Sequence, residues 1–299
     1  MNEQIRPKIT IGLPVYNGEQ FIHHAIDSLL RQSYANFKLI ISDNASTDKT
    51  ELICKNFVRM DKRVSYVRHN INRGYIWNSN YVLKLADTEY FMWAAADDVW
   101  HPEFIQKNLM FLEKNPSFVG SISEMEFFYE PWQKKDFDKF KNIKPEQKYQ
   151  IVCPFVGKYE EKVKFLFSTE KTECIYAIYR TKHLKKSMIK RVFLSCEIPI
   201  ILKVLKYGDL NVEEEVMMYK NMCRKKNPNF YKKLFSTTKN YWKYGILQSI
   251  FPFVPLTLYV LAIVGPKIFF KYLLIRFIKD NYRAERLVFL ELLSRVKTW

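Results

Sequence analysis

KITIGLPVYNGE, residues 8–19, passes from strand to turn to helix with almost no intervening chain. Lys8–Leu13 places Ile9, Ile11 and Leu13 in alternation, a short buried strand. Pro14-Val15-Tyr16-Asn17-Gly18 is a turn by composition. Phe21, Ile22, Ala25, Ile26, Leu29 and Leu30 then recur at helical spacing. Working outward, the same unit repeats. Phe37–Ser42 reads as a β-branched strand, and a helix opens at Asp48 and Thr50 and runs toward Met60. Val64–Arg68 reads as a third strand, Asn78–Ala86 as a helix and Glu89–Ala95 as a buried strand. His101-Pro102 opens another helix, with proline where its missing N–H is harmless. Strands alternating with helices imply an α/β fold, a mostly parallel sheet flanked by helices, whose ligands sit beyond the carboxyl ends of the strands. Residues 118–180 read as more strand-like and less regular, with Gln133–Lys148 an exposed loop. Glu197–Tyr207 reads as a helix closed by Gly208.

Composition narrows the classes. The 299 residues carry 48 Lys+Arg against 31 Asp+Glu, a formal charge of +17, and 48% are hydrophobic, enough for a large core. There are only 8 glycines, and neither a GxGxxG nor a GxxxxGK[ST] fingerprint occurs. Cys54, Cys153, Cys174, Cys196 and Cys223 are scattered and never form a CxxC pair, which argues against a zinc site or a disulfide framework and for a reducing compartment. The N-terminus lacks the apolar stretch of a secretory signal, so the expected location is the cytosolic face of a membrane. From Pro228 to Trp299 there are 12 basic and 3 acidic residues, so +9 of the +17 lies in the last quarter. Within it, residues 244–266, YGILQSIFPFVPLTLYVLAIVGP, carry no charge but are interrupted by Pro252 and Pro255. Lys267–Arg295 then reads as one helix with a broad apolar face and a basic one. Together they suggest a helical, apolar and basic tail attached to an anionic membrane surface, peripheral or re-entrant rather than cleanly spanning. Tail aromatics sit among Leu, Ile and Val rather than Lys and Arg, so nucleic acid is not expected as a partner.

Four polar segments end the first strands: LPVYNGE (13–19), SDNASTDKT (42–50), NINRGYIWNSN (70–80) and AAADDVWHPEF (94–104). Singly, each has an ordinary reading as a turn or helix cap. Their order, P-x-Y-N … S-L-L-x-Q-S-Y … S-D-N-A-S-T-D-x-T … N-x-G … N … A-D-D-x-W-x-P, resembles glycosyltransferase family 2. The resemblance is close over residues 8–125 and looser to about 221. It implies an inverting enzyme of the Rossmann-like GT-A fold, with a nucleotide-diphospho-sugar donor, a hydroxyl acceptor that is a glycan or lipid-linked saccharide, and Mg²⁺ or Mn²⁺. With the composition of the tail, it divides the chain into a catalytic domain over 1–225 and a membrane-associating helical region over 226–299.

Carried over by position, the resemblance places Pro14, Val15 and Tyr16 in the base pocket with Glu19 close by. It sets Asp43 on the nucleoside, and Asn72, Arg73 and Gly74 beside the nucleotide. Asp97 and Asp98 fall on the family's metal motif, although Ala95 stands where many relatives have its first aspartate. One or two carboxylates suffice when a diphosphate supplies other oxygens. Asp98 is the favoured ligand and Asp97 a ribose contact, with the reverse assignment open. Inverting transfer also needs a group to take the acceptor's proton. The family contributes it at the start of a later helix, and in FLSCEIPIILKVLKYGDL (193–210) that carboxylate is Glu197, with Glu173 the competitor. Glu213–Glu215 read as a solvated run. Trp93, Trp100 and Tyr176 read as core before sugar platforms, and His23, His24 and His101 lack metal-ligand spacing. A nucleotidyltransferase and a non-catalytic sugar-nucleotide or membrane-binding homologue are the alternatives.

Overall fold

The computed structural model describes residues 6–128, 152–169, 171–190, 195–221, 254–274 and 276–278. Its elements follow the expected alternation through the first hundred residues. β1 (Ile9–Val15), α1 (Ile22–Leu30), β2 (Phe37–Asp43), α2 (Thr50–Met60), β3 (Val64–Arg68), α3 (Tyr75–Leu85) and β4 (Tyr90–Trp93) form the parallel half. β1 lies between β2 and β4, so Ile9, Ile11 and Leu13 are all buried, the expected state of a strand flanked on both edges and covered on both faces. α3 starts at Tyr75, three residues ahead of the expected Asn78, because Gly74 takes a positive φ of 87° and turns the chain sharply into the helix.

The second half builds onto β4. β5 (Val99–Trp100), α4 (Phe104–Lys114), β6 (Phe118–Phe128), α5 (Tyr159–Thr169), a 3₁₀ turn (Glu173–Tyr176), β7 (Ile178–Arg180), α6 (Thr181–Ser187), α7 (Glu197–Val204) and β8 (Asp209–Asn221) complete an eight-stranded sheet. Its order is β3-β2-β1-β4-β7-β6-β8-β5. β6 and β8 pair in parallel, whereas β4–β7, β6–β7 and β5–β8 are antiparallel. Gly208 enters β8 so close to α4's following loop that a Cβ there would lie 2.3 Å from the Ser117 carbonyl oxygen.

Two elements depart from the sequence reading. Residues 159–169, expected in a strand-like region, form α5. Its apolar pattern of Val163, Leu166 and Phe167 is broken by Lys162, which is buried because its ammonium donates to the Gly208 carbonyl (2.8 Å) and to Asp209 (3.0 Å). The acidic run at 213–215 lies within the thirteen-residue strand β8. Ser123 pairs with Glu213 but Glu124 with Val216, so a bulge ejects Glu214 and Glu215 to solvent and the strand continues beyond them.

α8 (Val254–Val264) follows, with Pro255 in its first turn rather than breaking it. After Gly265 come α9 (Pro266–Ile268) and a π-helical turn (Phe269–Leu273). Among the described residues no single helix is long and apolar enough to cross a membrane. Leu256–Val264 and Pro266–Leu273 together have the length and composition, but they are bent by 116°. Leu256, Val260, Ile263 and Val264 are buried, with α8 packed on α7, and Phe269, Leu273 and Phe277 are buried as well. The loop Gln133–Lys148, the boundary near 225 and most of the helix expected over Lys267–Arg295 lie outside the described residues.

Candidate functional site

The carboxyl ends of β1 to β4 face one edge of the sheet, because Val15 is in register with Asp43, Asp43 with Arg68, and Gly12 with Trp93. The loops leaving these ends are joined through side chains. The Asn17 N–H donates to Ser46 Oγ (2.9 Å), the Gly18 N–H to Thr50 Oγ1 (2.8 Å) and the Glu19 N–H to Asp48 Oδ2 (3.0 Å). In return Glu19 accepts the Lys49 N–H (2.8 Å) and Asn17 Oδ1 the Thr47 N–H (2.8 Å). Burial works against the charge of Asp48, yet bonds from Thr50 and the Glu19 N–H hold its carboxyl below the usual range. Pro14 is half-buried, Val15 buried, and Tyr16 stands 50% exposed at the rim.

Asp43 is sealed beneath this rim. Its oxygens accept the Ser46 N–H (2.8 Å) and the Tyr66 hydroxyl (2.6 Å), with Arg68 Nε at 3.7 Å. It therefore ties the loop after β2 to β3. Asn44, next in sequence, is the hub that position-by-position reading left unassigned. Its amide donates to Asn72 Oδ1 (2.8 Å) and the Gly74 carbonyl (3.2 Å) and accepts the Arg73 N–H (2.9 Å). Asn72, Arg73 and Gly74 are thus placed by a single buried side chain, and the exposed Arg73 guanidinium lies 4.8 Å from the Trp77 ring centroid.

Asp97 and Asp98 occupy the turn between β4 and β5, not the start of α4. Asp97 is part-exposed. Asp98 is 1% exposed, and its Oδ1 accepts the Asn221 N–H at 3.0 Å, 123 residues away at the end of β8. The turn is braced from behind by the S-L-L-x-Q segment. Ser28 Oγ accepts the Trp100 N–H (3.3 Å), Gln32 Oε1 caps α4 through the Ile105 N–H (3.0 Å), and Gln32 Nε2 donates to the His101 carbonyl (2.8 Å). Trp93 and Trp100 are core residues.

The end of β8 also reaches the other carboxylates. Lys220, beside Asn221, lies 3.9 Å from Glu173 Oε1 and 5.0 Å from the Tyr176 ring centroid. Glu197 is the first residue of α7, which packs on the 3₁₀ turn carrying Glu173 and Tyr176. Burial pushes the Glu197 carboxyl up, the negative charge of Glu173 adds to this, and Lys220 pulls the other way. Backbone strain occurs in both groups of loops. The non-glycine residues with positive φ among those described are Asn17 (51°), Ala45 (65°) and Ser195 (56°), after β1, after β2 and two residues before Glu197. Such conformations cost about 1–3 kcal/mol each and concentrate at functional sites.

The model of glycosyl transferase family 2 matches residues 10–186, more than half of the chain. The chain belongs to glycosyltransferase family 2. An uncharacterized glycosyltransferase of Haemophilus influenzae is 32% identical over 124 residues, 42% of this chain and 38% of that protein. Bacillus subtilis TuaG, named for teichuronic acid biosynthesis, is 30% identical over 118 residues, 38% of this chain and 47% of its own. These matches span less than half the length of either relative. Staphylococcus aureus TarS, residues 1–349, superposes with a TM-score of 0.60 at 16% identity over 94% of this chain and 90% of that one. The Pyrobaculum calidifontis mannosyltransferase PcManGT, solved with GDP-Man and Mn²⁺, gives 0.57 at 15% identity over 99% of this chain and 77% of its own. The likeness to both structures is one of fold.

A divalent cation, common in family 2, fits the donor set. Asp97 and Asp98 offer hard oxygens on one turn, as Mg²⁺ and Mn²⁺ prefer. Among the described residues no three His, Cys, Asp or Glu side chains converge. The protein alone therefore offers a partial set, of the kind completed by substrate phosphates.

Proposed function

We propose that this family 2 chain transfers a hexosyl group, with inversion, from a nucleoside-diphosphate-sugar to a hydroxyl of a glycan or lipid-linked acceptor at the cytosolic face of an anionic membrane. One observation carries the reading: the last two residues of β8 join the two halves of the chemistry. Asn221 holds Asp98 through its N–H, and Lys220 pairs with Glu173 beside Glu197. TarS has been solved with UDP-GlcNAc and PcManGT with GDP-Man, which supports the donor class.

In this reading the nucleoside lies over Pro14, Val15 and Tyr16, with Asp43 and Glu19 fixing the walls. Arg73 faces the phosphates from a loop that Asn44 holds in place. Asp97, the part-exposed carboxylate, is the donor-facing member of its pair. Asp98 stabilises the turn by binding β8, which reverses the ligand preference read from the sequence. A Mg²⁺ or Mn²⁺ held by Asp97 and diphosphate oxygens would neutralise charge on the departing group. Glu197 takes the acceptor's proton as its oxygen bonds to the anomeric carbon. The bond to the diphosphate oxygen breaks, and that oxygen leaves with the electron pair. A buried carboxyl is a stronger base than an exposed one, so the upward push on Glu197 suits this task.

The tail supports the membrane assignment through composition. Leu258 and Phe270 are exposed in the same bent segment as Lys267 and Lys271, within a quarter of the chain that carries +9. The test is nucleoside diphosphate release from UDP-, GDP- and dTDP-sugars by full-length protein in detergent, with Mg²⁺, Mn²⁺ or EDTA. Metal-dependent release from one donor is the expected result, and no release from any overturns the reading. The anomeric configuration of the product, read by NMR, tests inversion. Flotation with phosphatidylglycerol vesicles tests the tail.

A further inference from the structure

Resting on the reading of Glu197 as base, we propose that Glu173 and Lys220 are a positioning pair that sets how strongly the Glu197 carboxylate takes the acceptor's proton. Three elements bring these groups together. The 3₁₀ turn supplies Glu173, the start of α7 supplies Glu197 and the end of β8 supplies Lys220. Glu173 and Lys220 are each only 22% exposed, so their 3.9 Å ion pair is poorly screened. The ammonium is held from a second side by Tyr176, at 5.0 Å from the ring centroid. The cation paired with Glu173 thus lies on the turn against which α7, with Glu197 at its start, packs. A negative charge beside Glu197 makes it more basic, and the cation limits that gain.

Burial sets the level about which Glu173 and Lys220 act, and among the described residues the other charged groups near α7 are engaged elsewhere. α8, packed along it, carries no charged residue. Lys203 is bonded to the Met188 carbonyl and Lys206 to the Ile263 carbonyl, both beyond the first turn of α7. On α6, His183 lies against Tyr207 and Lys186 lies 6.0 Å from the same ring, at the far end of that segment. Cys196, beside Glu197, bonds to it and favours its charged form.

The pair predicts opposite pH effects. Removing the neighbouring negative charge in Glu173→Gln moves the acid limb of the rate profile to lower pH. Removing the cation in Lys220→Met moves it to higher pH, and Lys220→Arg restores it. A shift of about half a unit, roughly threefold in rate at a fixed pH below the limb, is expected in each direction. The assay is donor hydrolysis by full-length protein in detergent, with water as acceptor and the sugar nucleotide hydrolysed fastest in the donor panel. The side-chain ¹³C resonance that disappears in Glu197→Gln reports the same titration without turnover. Limbs and titrations that stay in place, or move together, overturn the pair's role even if rates fall. Undiminished hydrolysis by Glu197→Gln instead overturns the reading of Glu197 as base, and with it the foundation of this proposal.

Discussion

The two rims of the candidate site, one proposed for the donor and one for the acceptor, are built by different means. The donor rim follows β1, β2 and β3, whose loops lie within sixty residues of one another and are laced by side-chain bonds. Asn17, Asn44, Ser46, Asp48 and Thr50 all take part. The acceptor rim gathers Glu173, Glu197 and Lys220 from three elements of the second half. Among its links are an ion pair, a cation–ring contact and the charge of one carboxylate on another. The first is a rigid mould. The second is an electrostatic balance, easier to perturb without unfolding the chain.

Substitutions can break that contrast at either rim. The largest effect is expected for Glu197→Gln, which lowers transfer by about 10²–10⁴-fold. Affinity for nucleoside diphosphate, measured by calorimetry, stays unchanged because the donor rim is untouched. Asp97→Ala comes next, with metal-dependent release falling by about 10²–10³-fold, the scale for losing one group that stabilises developing charge. Asn44→Ala removes the hub of three part-buried bonds that place the Asn72–Gly74 loop. It should cost about 2–3 kcal/mol in urea unfolding and weaken nucleotide binding.

Two smaller effects sharpen the comparison. Leu256→Ala opens a cavity where α8 supports α7, costing about 2 kcal/mol. Transfer should drop more than nucleotide affinity, since α7 carries Glu197 and no donor loop. The smallest effect concerns pH. The folded-state carboxyl of Glu197 is raised, so its burial costs stability as pH climbs from the ordinary glutamate range through the folded value. Glu197→Gln lacks that cost. It should melt higher than the parent at pH 7, with the gap closing below the ordinary glutamate range.

Legibility in the sequence followed the same divide. The strands from Ile9 to Trp93 and the helices between them announced themselves by period, since each buries its apolar face against immediate neighbours. The polar loops at their ends could be read as one site because parallel strands bring every loop after a strand to the same edge. α5 was hidden by Lys162, whose burial is intelligible only once Gly208 and Asp209 lie beside it. β8 was hidden by acidic residues that a bulge expels. Glu173 and Glu197 stood as rivals for one role, and folding made them neighbours.

What the sequence determined by itself was the parallel half of the sheet, the family and the polar loops that line the donor side. Those features depend on residues close along the chain, whose periodicity and turn chemistry act locally. Only the tertiary structure decided that Asn221 would hold Asp98 across 123 residues, that Asp43 would be sealed under Tyr66, and that Lys220 would pair with Glu173 on the turn against which α7 packs. Such contacts depend on which strand lands beside which in the second half of the sheet. That choice is made by the packing of the whole core, and no local pattern encodes it.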